Sequence, residues 1–201
     1  MIIATRADLE EGITALIGLE SRFGPVVERL GTIPLRVEPA GLASLLAIIT
    51  EQSISLKAAA SIGQRLDAAF DVGDANAVLG VPVERLRALG LTRSKGRAFH
   101  AAARAARDGV LESLVTLGDD DAKKALTELH GIGEWTAQTY LLSCLGRSDA
   151  WPAGDVALQA AVAGLLAIDP RPDVRQMVAL AEPWRPWRAV AARILWTWYR
   201  S

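Results

Sequence analysis

Apolar residues recur at three- and four-residue spacing in seven segments of this chain: 42–50 (LASLLAIIT), 56–70 (LKAAASIGQRLDAAF), 97–106, 122–129, 135–145, 156–167 and 187–199. That period places apolar side chains on one face of a helix. The β-branched alternation that builds strands is scarce. Breakers separate the runs: Gly24-Pro25, Pro34, Pro39, Gly73, Gly80-Val81-Pro82, Gly90, Gly118, Gly146, Pro152, Pro170 and Pro172. Helix starts are also legible. Asp119, Asp120 and Asp121 precede an apolar run and suit a helix N-terminus, and Ser55 is placed to cap the helix that carries Lys57. The stretch 31–38 (GTIPLRVE) is expected to be extended, but it is too short to make a sheet. The expectation is an all-α fold: one compact domain over residues 1–201, of two helical lobes whose boundary stays open.

Composition narrows the setting. Apolar residues make up 51% and charged residues 22%, enough for a sizeable core. No apolar run reaches the ~20 residues that cross a bilayer, so no membrane is expected. The start, MIIATRADLEEG, has no long apolar core and does not read as a secretory signal. Cys144 is the single cysteine, which excludes an intrachain disulfide, a multi-cysteine zinc site and a cysteine-held iron–sulfur cluster. A reducing cytoplasm fits that usage. The net charge of −1 and the pI of about 6.1 carry no polyanion signature. One window is locally basic: Arg85, Arg87, Arg93, Lys95, Arg97, Arg104 and Arg107, with no acid between Glu84 and Asp108. Such a run is usually a solvated helix face.

Residues 129–137 read LHGIGEWTA. The flanking segments, AKKALTEL and EWTAQTYLLSCL, are helical in pattern, so LHGIG is a helix–turn–helix link of four or five residues. Glycine accepts positive φ and lets two backbones approach closely. The second helix then offers its first N–H groups as an anion site suited to a DNA phosphate. An ordinary αα-hairpin with glycine caps fits the turn equally. Further on, WPAGDVALQAAV (151–162) delivers one carboxylate, Asp155, to the start of another helix. Asp is a favoured N-cap. A carboxylate at the mouth of a cleft also stabilises a developing sugar cation or orients a water. The residues alone leave both readings open.

LHGIGEWTA followed by WPAGDVALQ resembles the helix-hairpin-helix DNA glycosylases, and within them the 3-methyladenine DNA glycosylase II type. IITEQSIS (48–55) is similar to the family's Gln-Gln-x-Ser helix start, and WRPWRAVAARILW (184–196) to its C-terminal Trp-Arg-Pro-aromatic-Arg-Ser helix. The similarity runs from about residue 40 to 198 in the family's order. The larger members carry an N-terminal β-rich domain, which is not expected here.

The resemblance implies a monofunctional glycosylase that flips alkylated purines such as 3-methyladenine out of double-stranded DNA and hydrolyses the N-glycosidic bond. Asp155 would be catalytic. Trp135, Trp196 and Gln52 would line the base pocket. Gly131, Gly133, Thr136, Ser53, Ile54 and Lys95 would meet DNA. Related bifunctional enzymes carry a lysine where Trp135 stands, and tryptophan cannot form a Schiff base. No cofactor is implied beyond a monovalent cation, sodium or potassium, on the backbone carbonyls of Thr127, Leu129 and Ile132. A monomer in the cytoplasm, with DNA, is expected. Gln52, Ser53 and Ile54 are the candidates to fill the gap left by the flipped base. Ser53 stands where a second Gln is frequent, His130 where proline is, and Ala189 where serine is. Trp184 and Trp198 are expected in the core, with Trp151 undecided. His100 and His130 are not expected to act as acids. The competing readings are a non-catalytic DNA-binding hairpin module, a helical scaffold, and a glycosylase for another damaged base.

Overall fold

The computed structural model describes residues 1–201. Its helices, in chain order, are α1 (Arg6–Leu19), α2 (Phe23–Leu30), α3 (Leu42–Glu51), α4 (Leu56–Asp67), α5 (Ala75–Gly80), α6 (Val83–Ala88) and α7 (Arg93–Arg107). They continue with α8 (Val110–Ser113), α9 (Asp119–Thr127), α10 (Glu134–Ser143), α11 (Val156–Leu166), α12 (Val174–Ala181) and α13 (Arg188–Tyr199). A 3₁₀ turn at Glu182–Trp184 precedes α13. The β pairing amounts to one bridge, between Ile2 and Arg147. No helix is long and apolar enough to cross a membrane. The fold is all-α, as the periodicity requires.

Each of the seven expected segments is a helix, shifted at its ends by a few residues. Ser55 caps α4 by accepting from the Ala58 N–H, and the three aspartates occupy the first turn of α9. The 31–38 stretch is irregular and pairs with no strand. Gly24-Pro25, expected as a break, instead lies in the first turn of α2. Proline costs little there, because its missing N–H would have no intrahelical partner.

The chain divides into two compact units, residues 1–37 with 141–201, and residues 38–140. In the first, α13 packs on α1, α2 and α11. Gly12 makes the α1 contact close: a Cβ there would stand 2.7 Å from the Trp187 ring and from a Val190 methyl. Trp184 is buried edge-on between Phe23 and Trp151, with ring centroids 5.2 and 5.6 Å away. Arg193 is fully buried and donates to the carbonyls of Leu35 at 2.7 Å, and of Ala189 and Leu142 at 3.0 Å each. Burial, with Arg36 nearby, pushes its guanidinium down to about 10.

In the second unit α7 is the central element, packed on α3, α5 and α6. Its buried face is Ala98, Phe99, Ala101, Ala102, Ala103 and Ala105, and small side chains let its neighbours approach closely. Arg93, Arg97, Arg104 and Arg107 lie exposed on the opposite face. The basic window is therefore largely the solvated side of an amphipathic helix. Lys95 departs from that pattern.

Candidate active site

The Asp155 carboxylate sits where a short turn ends. The Asp155 N–H bonds the Pro152 carbonyl at 2.9 Å, which closes the Pro-Ala-Gly-Asp turn. Asp155 is the N-cap of α11 with extended backbone, and its Oδ1 accepts from the Leu158 N–H at 2.9 Å. The same Oδ1 accepts from the Trp196 indole Nε1–H at 3.1 Å. The cap reading is thus correct, and it does not exhaust the residue. A cap needs one donor, whereas here a tryptophan from α13 supplies a second. The side chain stays half-buried. With both donors on one oxygen, the carboxylate has a fixed plane.

The turn itself rests on side chains of the first unit. The Trp151 Nε1–H donates to the Met177 carbonyl at 3.1 Å, so Trp151 is core. The Gln159 amide donates to the Ala153 carbonyl at 3.2 Å. Two residues before Trp151, Asp149 takes a two-pronged bond from Arg188, at 2.7 and 2.9 Å, and a short one from Arg185. Arg188 and Asp149 are only 11% and 16% exposed, where a charged pair is stronger than at the open surface. The Ala189 N–H bonds the Ser148 carbonyl at 2.9 Å. The WRPWR segment is therefore an anchor for the chain entering the Asp155 turn.

The hairpin belongs to the second unit. Gly131 has φ +81, and a Cβ there would stand 2.6 Å from the Ala98 Cβ of α7. Glycine is required on both counts. Gly133 is exposed with open space around it. The first internal bond of α10 runs from the Ala137 N–H to the Gly133 carbonyl at 3.0 Å, so the amides before it are the helix's N-terminal donors. Trp135, in the first turn of α10, is half-buried. Glu134 beside it meets Lys123 at 3.6 Å.

Four of the expected site residues have side chains engaged within the fold. The Gln52 Nε2 donates to the Gly131 carbonyl at 3.1 Å and to the Thr136 hydroxyl at 2.9 Å. Its amide nitrogen ties the 52–54 turn to the hairpin. Thr136 is buried and its hydroxyl is engaged by Gln52, so any DNA contact it makes falls to its backbone. Lys95 is buried with its Nζ 2.8 Å from the Thr50 carbonyl, which removes it from the exposed basic face. Trp196 is 8% exposed, and its N–H on Asp155 is its clearest role. Ser53, at φ +57, and Ile54, 38% exposed, stand out at the turn. Thr127 and Leu129 border the hairpin, and the Leu129 carbonyl accepts from the Ile132 N–H at 3.1 Å. His130 is exposed, and His100 is half-buried with its Nε2 2.8 Å from the Val81 carbonyl. Asp149, Arg185 and Arg188 were not foreseen. Their partners lie 36 and 39 residues apart in sequence, and no periodicity carries such a pairing.

The family profile of the HhH-GPD superfamily base excision DNA repair protein matches residues 46–186. The chain belongs to this superfamily. Among its HhH-GPD relatives is the alkylbase DNA glycosidase-like protein mag2 of Schizosaccharomyces pombe, 24% identical over 94% of this chain and 93% of that protein. The solved 3-methyladenine DNA glycosylase Mag1 of the same yeast, in complex with abasic DNA, superposes with a TM-score of 0.85 at 25% identity. That match covers 92% of this chain and 95% of the other. The probable bifunctional transcriptional activator/DNA repair enzyme AlkA of Mycobacterium tuberculosis is 30% identical over 93% of this chain, which spans only 39% of that protein's length.

Proposed function

We propose that this chain is a monofunctional DNA glycosylase that removes alkylated purines such as 3-methyladenine from double-stranded DNA, with Asp155 as its catalytic carboxylate. It is a base excision repair enzyme of the 3-methyladenine glycosylase type, a hydrolase. The observation that carries the reading is the double grip on Asp155 Oδ1 by Leu158 N–H and Trp196 Nε1–H. An N-cap alone does not need the second donor.

The chemistry follows from the leaving group. An alkylated purine carries positive charge, which weakens the bond from its ring nitrogen to C1′ of the deoxyribose. When that bond breaks, its electron pair goes to the purine, which departs neutral, and the positive charge passes to the sugar. An ionised, oriented carboxylate stabilises this cation. Water adds at C1′ and gives up a proton, leaving an abasic site. No strong general acid is required. Trp135, half-buried at the start of α10, offers an indole face to the cationic base, worth roughly 0.5–2 kcal/mol. Leaving the stack costs roughly a few kcal/mol, less for a damaged pair. Trp135 has no amine, so no covalent sugar adduct forms and strand cleavage falls to other enzymes.

The first amides of α10 fit a DNA phosphate, and the open space beside Gly133 lets the DNA backbone approach. The carbonyls of Thr127, Leu129 and Ile132 are hard oxygen donors, the chemistry that sodium or potassium takes. A cation held there would offset phosphate charge and take no part in bond breaking. The enzyme acts as a monomer, in the compartment that holds the DNA. The test is incubation with methylated duplex DNA. Free 3-methyladenine should appear without strand nicks, and borohydride should trap no protein–DNA adduct. A trapped adduct, or no base release, would contradict the proposal.

A further inference from the structure

Lys95 lies in the first turn of α7 and is 8% exposed. Its Nζ donates at 2.8 Å to the carbonyl of Thr50, the residue before the last in α3. Carbonyls at a helix C-terminus lack intrahelical partners and attract cations. Burial nonetheless strips the ammonium of water and pushes its pKa down. A neutral donor would satisfy one carbonyl at a smaller desolvation cost. What the lysine adds lies in the residues that follow.

After α3 the chain turns sharply through Gln52, Ser53 and Ile54. Ser53 has φ +57, in a region that costs a residue other than glycine roughly 1–3 kcal/mol and persists only where the surroundings over-determine it. The surroundings do so here. Lys95 holds Thr50 from one side, and Gln52 holds the Gly131 carbonyl and the Thr136 hydroxyl from the other. The Ile54 N–H closes on the Glu51 carbonyl at 3.3 Å. With the Gln52 amide nitrogen engaged, Ser53 and Ile54 are the exposed residues of the turn.

We propose that Lys95 is a positioning residue for base eversion: by clamping the end of α3 it holds Ser53 and Ile54 in the backbone form that fills the gap left by the departed base. This rests on the glycosylase reading above. It assigns Lys95, buried on the Thr50 carbonyl, a role in moving the base rather than in cleaving its bond.

Lys95→Met keeps the apolar stem and removes the donor. Two readouts separate eversion from chemistry. The first is the fluorescence of 2-aminopurine placed beside the target in a duplex, which rises when stacking is lost and needs no bond breaking. The second is single-turnover release of a methylated base from a paired duplex and from the same lesion in an unpaired bulge. Lys95→Met should lower the fluorescence rise, and release from the paired duplex, by roughly tenfold, while release from the bulge stays within about twofold of wild type. Equal losses on both substrates, or an unchanged fluorescence rise, would overturn the assignment. Should Lys95→Met fail to fold, Lys95→Gln, a neutral donor of shorter reach, carries the same comparison. Absence of base release by wild type from either substrate would contradict the glycosylase reading alone, and the fluorescence would then decide the positioning role.

Discussion

The Asp155 turn and the hairpin are held in place by different physics. Around Asp155 the fixings are charged or polar side chains reaching across the first unit: Arg188 and Arg185 on Asp149, and Trp196 on Asp155; elsewhere in that unit Arg193 holds three carbonyls in the same way. At the hairpin the main fixing is the absence of a side chain, since Gly131 lets the turn settle on Ala98. Gln52 adds one polar tie. The contrast matches the tasks assigned to each. A carboxylate that must face a developing cation needs its plane set, and directional bonds set planes. A turn that grips a backbone phosphate through its own amides needs its main chain placed, and close steric contact does that.

The contrast is open to attack from both sides. Arg193→Met removes the donor from three carbonyls, two of them buried, and a buried one left unpaired costs roughly 1–3 kcal/mol. A loss of about 3 kcal/mol or more is expected in urea unfolding, and a melting temperature lower by roughly 10 °C. Unchanged stability would mean that these bonds do not hold the first unit. Gly131→Ala meets both a positive φ and the Ala98 methyl, and is expected to cost roughly 1–3 kcal/mol and to weaken binding to abasic duplex. Adding Ala98→Gly should return the steric part. If it returns nothing, the close approach is not what fixes the hairpin.

Trp196→Phe keeps most of the ring and deletes the N–H on Asp155. A lost hydrogen bond of roughly 1–1.5 kcal/mol corresponds to about a tenfold slower single-turnover release, with binding to abasic duplex unchanged. Weaker binding to a duplex that still carries the alkylated base, at an unchanged release rate, would show that Trp196 serves as a base-stacking ring after all. Trp151→Phe deletes the N–H on the Met177 carbonyl within the core and should lower stability by roughly 1 kcal/mol, with little change in release rate.

Much of this was legible in the chain. The helices with a clear apolar period, α3, α4, α7, α9, α10, α11 and α13, were all foreseen, because one face of each is buried in a regular stripe. α5 and α6 span only six residues each, too few to show a period, and α1 buries Gly12 in the middle of its contact face. Asp155 and Gly131 were legible because each sits in a turn whose residue types are demanding. The use of each side chain was less so. Trp196 and Trp135 look alike in sequence, and only the fold shows that Trp196 donates to a carboxylate. Lys95 reads as one of a basic run, and helical phase alone does not disclose that its ammonium has turned inward onto Thr50.

The most direct measurement is single-turnover release of 3-methyladenine from methylated duplex by Asp155→Asn, run beside its affinity for abasic duplex. Asparagine keeps an oxygen for the Leu158 and Trp196 donors and loses the negative charge. The account predicts release slower by roughly a thousandfold with affinity preserved within a few-fold. Release at the wild-type rate would show that the charge on Asp155 plays no part in breaking the bond.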